Sequence, residues 1–154
     1  MEIGLGVPRD PVRIIKVDGK SELYQPATDK NLTLKMERFS NSFLKNIDEV
    51  DGFIFKNKSP TCGIKNVKRY HGIGNSGSVR DGIGLFAGIL KDHFYFIPME
   101  DEGRLRNLKI RENFLTKIFT LSEFREIKNS GKFNDLVDFI QKISYFYFHI
   151  MNII

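Results

Sequence analysis

Apolar and polar residues follow strand-like and helix-like patterns in turn along the first hundred positions. Residues 13–18, RIIKVD, form a β-rich run before Gly19 that predicts a strand. Apolar residues between 31 and 47 recur at helical spacing, with Asp29 as the expected N-cap. Residues 51–57, DGFIFKN, predict a short buried strand. A strand, a helix and a strand in this order predict a βαβ unit in a parallel sheet.

The following segments are more mixed in pattern. Residues 22–30 predict a loop, and residues 67–71 predict a strand or an extended loop. A glycine-rich stretch at 72–84 precedes the apolar start of a helix at 85–90. Residues 94–98, FYFIP, predict a strand that ends at the proline.

The periodicity becomes purely helical after a charged stretch at 100–107, which predicts a domain boundary. Three helices are expected beyond it, at 108–119, 122–128 and 133–148. The predicted fold class is therefore α/β. We expect a mainly parallel sheet with helices in a partial domain at 1–99, followed by an incomplete all-α segment at 100–154.

Composition excludes few function classes. The chain has 154 residues, 41% of them apolar, with a net charge of +5. The cations are spread out, with small clusters at 65–69 and 104–111, which favours a solvated basic surface over nucleic-acid binding. The apolar tract 143–154 is too short to span a bilayer, and no signal peptide is visible. We expect a cytoplasmic protein without a membrane partner.

Cys62 is the only cysteine and lies in a Ser-Pro-Thr-Cys-Gly turn after the predicted strand 51–57. One cysteine excludes an internal disulfide and fits a reducing compartment. Chemistry in α/β proteins is often placed in loops after the carboxyl ends of strands. The thiol is thus either a metal ligand or nucleophile, or a small inert residue of a turn. Its residue type alone favours the inert turn residue.

Other motifs carry less information. Residues 72–77 match G-x-G-x-x-G, but the surrounding pattern favours a flexible loop over a dinucleotide site. The carboxylates within 99–102 are typical of a solvated linker. The histidines have no metal-ligand spacing, which argues against zinc; they are His71, His93 and His149.

Two stretches carry a resemblance to the thiouracil desulfidase family. Residues 2–14, EIGLGVPRDPVRI, and 52–64, GFIFKNKSPTCGI, resemble its paired motifs. Family members have the sequence Cys-Pro-Glu immediately before the first motif and Ser-Pro-Ser-Cys-Gly within the second. Residues 82–90, GIGLFAGIL, resemble a third family segment, and 100–119 resembles the start of the YbgA-type helical domain often fused behind it. The resemblance covers 2 to about 139 in the family's order.

The resemblance implies an iron–sulfur enzyme. In this family three cysteines hold a four-iron–four-sulfur cluster, and the open iron takes sulfur from a thiolated pyrimidine, the implied small-molecule substrate. Cys62 aligns with the third cysteine, which makes it the expected metal ligand. Ser59 aligns with a serine beside the cluster, which makes it the expected catalytic residue for orienting substrate or water.

The chain departs from the family at both ends. The first two family cysteines are absent, which predicts an N-terminally truncated chain that is inactive as given and does not assemble the cluster alone. A missing strand would also favour self-association through an exposed sheet edge. The tail 138–152 fits the family's Phe-His-x-x-x-Lys pattern better in a shifted reading frame, so we expect poor packing after Phe139.

Two function classes remain open. The first is a fragment of an iron–sulfur desulfidase-like protein that removes sulfur from a thiolated nucleobase. The second is a non-catalytic binding module that contacts nucleic acid or a protein partner through 65–69 and 104–111. Cysteine-dependent iron–sulfur absorbance favours the first class, and salt-sensitive oligonucleotide binding favours the second.

Overall fold

The computed structural model describes residues 3–74 and 77–150. The chain divides into two compact units, Met1–Phe114 and Leu115–Ile154. Two single 3₁₀ turns lie at Pro26–Thr28 and Arg104–Arg106. The helices and strands in chain order are β1 (Arg13–Val17), β2 (Lys20–Gln25), β3 (Lys30–Asn31), α1 (Thr33–Lys45), β4 (Phe53–Phe55), β5 (Val67–Tyr70), β6 (Ser78–Gly82), α2 (Leu85–His93), β7 (Met99–Asp101), α3 (Leu108–Ser130) and α4 (Phe133–Ile150).

The predicted α/β class is confirmed, but the larger sheet is mixed and not mainly parallel. Its strand order is β3-β2-β1-β5-β6. Only the β1–β5 pair is parallel, while the β1–β2, β2–β3 and β5–β6 pairs are antiparallel. The smaller sheet is the parallel pair β4–β7. Strands β1 and β4, expected to pair across α1, therefore lie in different sheets.

A tight hairpin accounts for much of the difference. Val17 pairs with Lys20, so Asp18 and Gly19 alone connect β1 to β2. Both residues have positive φ, 48° and 82°, as a two-residue hairpin turn of type I′ requires. The Asp-Gly dipeptide was the sequence signal for this turn. The turn makes β2 run antiparallel to β1. Residues 22–25, which were predicted to belong to a loop at 22–30, therefore form part of strand β2.

The strand predicted at 94–98 was wrong by several residues. Phe94 donates its backbone N–H to the Leu90 carbonyl at 2.8 Å and so ends helix α2. Tyr95 is 85% exposed. The extended backbone begins only at β7, where Met99 pairs with Phe53 of β4. An apolar run can thus be a turn when its side chains point to water.

Two other elements differ from expectation. The glycine-rich stretch contains strand β6, which pairs with β5, while residues 75 and 76 lie outside the described part. Helix α1 begins at Thr33 instead of near Asp29, because Asp29 ends the preceding 3₁₀ turn with φ 50°. The Asn31 side chain accepts the Thr33 N–H at 2.9 Å.

The core of the first unit consists of two neighbouring apolar clusters. One joins sheet residues such as Ile14 and Leu23 to Met36 of α1. The other is built on Phe55, Ala87 and Leu90. Full burial of each large apolar side chain contributes about 1.5–3 kcal/mol. Phe86 packs against both clusters, and its ring lies 5.6 Å from that of Phe39 and 5.3 Å from that of Phe43.

The second unit begins inside α3, at Leu115, and in it α4 packs against the part of α3 that follows this boundary. The Phe124 and Phe139 rings lie 5.7 Å apart, and Lys142 pairs with Glu123 at 2.7 Å. The helices predicted at 108–119 and 122–128 are one continuous helix, α3. Beyond Phe139 several α4 side chains are exposed: Ile140, Tyr145 and Phe148. Residues 151 and 152 of the tail 138–152 lie outside the described part, as do the last two residues of the chain. No described helix has the length and apolar content needed to cross a membrane.

Candidate functional site

A cavity of about 410 Å³ opens beside the turn that follows β4. This volume falls within the usual range for small-molecule sites. Apolar side chains form one part of the lining: Ile3, Met36, Phe39 and Phe86. Polar side chains form the rest: Arg9, Lys56, Ser59, Thr61 and Cys62.

Ser59 organises the turn that carries Cys62. Its Oγ accepts the backbone N–H groups of Thr61, at 3.3 Å, and Cys62, at 3.2 Å. Its carbonyl accepts the N–H of Gly63 at 2.8 Å. A serine that accepts the N–H groups two and three residues onward stabilises such a turn. Ser59 therefore has a structural part in the turn in addition to its position in the cavity wall.

The turn also satisfies the first N–H groups of helix α2. The carbonyls of Pro60 and Thr61 accept the N–H groups of Leu85 and Ala87 at 3.2 and 3.1 Å. These donors lack partners inside their own helix, because the first turn of any helix leaves its N–H groups unpaired. The Cys62 turn is thereby fixed to the amino end of α2.

Two glycines permit this close approach. A Cβ on Gly84 would lie 2.5 Å from the Thr61 carbonyl carbon. A Cβ on Gly63 would meet the Val67 side chain and lie 2.8 Å from the Ser59 oxygen. Neither glycine tolerates a side chain without a backbone shift.

Cys62 is half-buried and faces the cavity on one side. Its Sγ lies 3.4 Å from Thr61 Oγ1, and its other side packs against the Phe55 cluster. Ile3 and Arg9, from the N-terminal motif, line the same cavity. The structure thus brings together the two motif stretches that the sequence placed about fifty residues apart. The assignments of Cys62 as ligand and Ser59 as catalytic residue stay predictions.

Sequence reasoning missed the positively charged part of the cavity lining, which consists of Arg9 and Lys56. Lys56 Nζ lies 2.8 Å from Glu102 Oε1, and the other Glu102 oxygen accepts the Asn57 N–H at 2.6 Å. These contacts hold the pKa of Glu102 below its usual range, and the hydrogen bond from Lys56 has the largest effect. Lys56 follows β4 and Glu102 follows β7, so parallel pairing of these strands brings the two side chains together. The local pattern carried no signal for that pairing.

The segment 99–102, which the sequence predicted to be a solvated linker, forms strand β7 and the residue after it, and its carboxylates contact neighbouring protein groups. Asp101 is buried, and its Oδ1 accepts the Arg104 N–H at 2.8 Å. Glu100 pairs with the Arg104 guanidinium at 2.8 Å. All three carboxylates belong to β7 or follow it directly, and each has a protein partner.

The residues present do not fit a four-iron–four-sulfur cluster held by this chain alone. Such a cluster needs several thiolates at fixed positions. The sequence contains one cysteine. Among the side chains that the structure describes, no three from His, Cys, Asp or Glu are grouped so that they could hold a metal ion. Cys62 can therefore supply one ligand of such a cluster at most.

Comparison with known proteins was made at three levels. The structure resembles a solved "[4Fe-4S]-dependent thiouracil desulfidase TudS" with 21% identity and a TM-score of 0.49, over 73% of this chain and 69% of that chain. A search of curated proteins finds no match. Residues 1–102 match the 2-thiouracil desulfurase family, a stretch that contains both motif segments and the cavity between them. Because this match spans well over half of the sequence, the chain belongs to the 2-thiouracil desulfurase family.

Proposed function

We propose that the cavity beside Cys62 binds a thiolated pyrimidine and is the substrate site of a desulfurase. The observation that carries this proposal is the meeting of both family motifs, through Arg9, Ser59 and Cys62, in one cavity of small-molecule size. The family's own description supplies the substrate class. In the overall reaction water provides the oxygen that replaces sulfur on the ring, and the sulfur leaves as hydrogen sulfide.

The lining supports this ligand class. Phe39 and Phe86 offer aromatic surface to a flat heterocycle, and aromatic rings favour stacked or edge contacts with one another. Ser59 and Thr61 provide hydroxyl groups that can donate to a ring nitrogen, oxygen or sulfur. Ser59 Oγ accepts two backbone N–H groups and also shares a hydrogen bond with Thr61 Oγ1 at 3.0 Å, so it acts on a ligand together with the Thr61 hydroxyl. We assign it to orienting substrate or water.

We further propose that Cys62 is a ligand of a four-iron–four-sulfur cluster that this 154-residue chain does not assemble alone. The single cysteine supports this proposal. A symmetric pair of chains would bring two thiolates at most, which still falls short of three. We accordingly propose that the chain as given is not a competent desulfidase, and no catalytic step is assigned through the cluster.

Protection of Cys62 from alkylation tests the substrate site. Because Cys62 is the only cysteine, modification by iodoacetamide reports on this cavity alone. We expect 2-thiouracil to slow the alkylation in a saturable way and an aliphatic thiourea of similar concentration to have little effect. Equal rates with and without saturating thiopyrimidine would contradict the proposed substrate site.

Anaerobic reconstitution with iron and sulfide tests the cluster proposal. We expect substoichiometric iron, no release of sulfide from 2-thiouracil, and loss of the residual iron in Cys62→Ser. The control is Glu112→Gln, an exposed change on α3 that leaves the thiol and its turn intact and should keep the residual iron. One full cluster per chain, with turnover that Cys62→Ala abolishes, would prove this proposal wrong.

The described contacts do not favour the second function class, a basic binding module. Arg69 makes a two-point contact with Asp81, at 3.0 and 2.6 Å. Arg104 pairs with Glu100. Cations held by neighbouring carboxylates contribute less to attraction of a phosphate backbone.

A further inference from the structure

We infer that the Cys62 cavity selects anionic ligands, so that its substrate is a thiopyrimidine that carries a negative charge. The charge is either that of the deprotonated ring or that of an acidic substituent. This inference deepens the proposed function and rests on it.

The charge of the cavity wall is the first support. Among the lining side chains that the structure describes, two are cations, Arg9 and Lys56, and none is acidic. The other lining groups are apolar or carry hydroxyl or thiol groups. A cleft with charge of one sign and apolar walls concentrates ions of the opposite sign.

The position of Lys56 is the second support. Glu102 lies outside the lining and contacts the Lys56 ammonium at 2.8 Å, while the Asn57 N–H holds the other Glu102 oxygen. This arrangement restricts a long, otherwise mobile side chain. Glu102 offsets part of the Lys56 charge, and Arg9 adds a second positive charge. The balance at the cavity remains positive.

Arg9 supports the same conclusion. It is exposed and lines the cavity, and it comes from a segment distant in sequence from the Cys62 turn. Its guanidinium carries a positive charge and five N–H donors in a planar fork. Positive groups from two separate segments therefore face the space beside the thiol.

The chemistry of the ligand agrees with such a wall. Loss of a ring proton from a thiopyrimidine spreads negative charge over its nitrogen, oxygen and sulfur atoms. The cationic side chains can donate hydrogen bonds to those atoms, and so can one of the Ser59 and Thr61 hydroxyls, which share a hydrogen bond with each other at 3.0 Å. The apolar part of the lining remains available for the ring faces.

The first test compares alkylation of Cys62 by iodoacetate, an anion, and by neutral iodoacetamide. The same Cys62 thiolate attacks both reagents and displaces iodide from each, so the ratio of the two rates cancels thiol ionisation and isolates the attraction for the anion. We expect the ratio in the folded protein to exceed that of the same chain unfolded in urea by about threefold at low salt and to fall as salt is added.

Variants identify the groups responsible. Lys56→Met and Arg9→Met should each lower the ratio, whereas Glu102→Gln should raise it because a negative charge near the cavity is lost. The matched control is Lys142→Met, since Lys142 is 67% exposed in its ion pair and Lys56 is 75% exposed in its own. This control should leave the ratio unchanged. Equal ratios in folded and unfolded protein, or no effect of Lys56→Met and Arg9→Met, would overturn the inference.

Ligand protection separates the inference from the proposed function. We would compare 2-thiouracil at rising pH, a 2-thiouracil ring carboxylate and the matching carboxamide. If 2-thiouracil protects Cys62 better as its ring ionises, the selected charge is that of the ring anion. If the carboxylate protects better than the matching carboxamide, the selected charge is that of the substituent. Equal protection by charged and neutral forms overturns this inference alone. No protection by any of them overturns the proposed function as well.

Discussion

Gly84 is the residue at which the Cys62 turn and helix α2 approach each other most closely. Its N–H donates to the Gly63 carbonyl at 2.7 Å, and its missing side chain leaves room for the Thr61 backbone. The motif pattern G-x-G-x-F-A was visible in the sequence. The reason for the second glycine was not, since its neighbour in space lies more than twenty residues earlier in the chain.

Gly84→Ala should therefore destabilise the protein. We expect a loss of about 1–3 kcal/mol in the free energy of unfolding, because the new Cβ overlaps backbone atoms that cannot rotate away. Urea denaturation followed by circular dichroism measures it. The control is Gly74→Ala, where a Cβ would meet no atom within 4 Å. Equal losses in both variants would contradict the close-contact argument.

At the scale of elements, the β4–β7 pair places the cationic side of the cavity. Phe55 of β4 pairs with Asp101 of β7, and the Glu102 N–H donates to the Phe55 carbonyl at 3.1 Å. The next residue after each strand then forms the Lys56–Glu102 ion pair. A short two-stranded sheet is thus sufficient to bring a lysine and a glutamate from distant segments together.

The Glu102 contacts predict a pH dependence of stability. The folded protein lowers the pKa of Glu102, chiefly through Lys56, so the ionised form is favoured by folding. Its contribution is full above the usual pKa of glutamate and is lost as the pH falls through the lower folded value. Glu102→Gln should accordingly be less stable than the parent at neutral pH, and the difference should vanish in acid.

Urea midpoints measured between neutral and strongly acidic pH test this prediction. Glu112→Gln, an exposed change on α3, is the control and should alter the midpoint little at any pH. A Glu102→Gln difference that stays constant into strong acid would mean that the carboxylate charge is not its cause.

At the scale of the whole molecule, two kinds of exposed surface are available for association between copies of the chain. Within the described part of the chain, β6 is one of the two outer strands of the larger sheet, and Val79 on it is 37% exposed. In the second unit Phe119 is 68% exposed. Open strand edges and exposed aromatic side chains both promote contact between copies.

We predict self-association through the sheet edge. Val79→Lys should lower the average mass measured by light scattering, because a charged side chain on an edge strand disfavours pairing with a second copy. Phe119→Ser is the comparison variant. If Phe119→Ser lowers the mass and Val79→Lys does not, association uses the helical unit and the edge prediction is wrong.

The sequence by itself determined the elements and features that depend on neighbouring residues. Strands β1 and β4, helices α1 and α2, the position of Cys62 in a turn and the motif resemblance were all readable from it. The Asp-Gly dipeptide at 18–19 also carried a local signal for the hairpin, whereas the expectation of a mainly parallel sheet came from the strand–helix–strand order and was wrong for the larger sheet. Such features follow from contacts within a few positions, which a local pattern records.

Only the tertiary structure decided which distant segments meet. It paired β4 with β7, brought Arg9 beside the Cys62 turn, and placed Lys56 against Glu102 across more than forty residues of chain. These contacts arise when the sheets and helices bury their apolar faces together, and many sequences with the same local pattern could pack otherwise. The chemistry of the site was therefore visible in Cys62 and Ser59, while its charge and shape came from the fold.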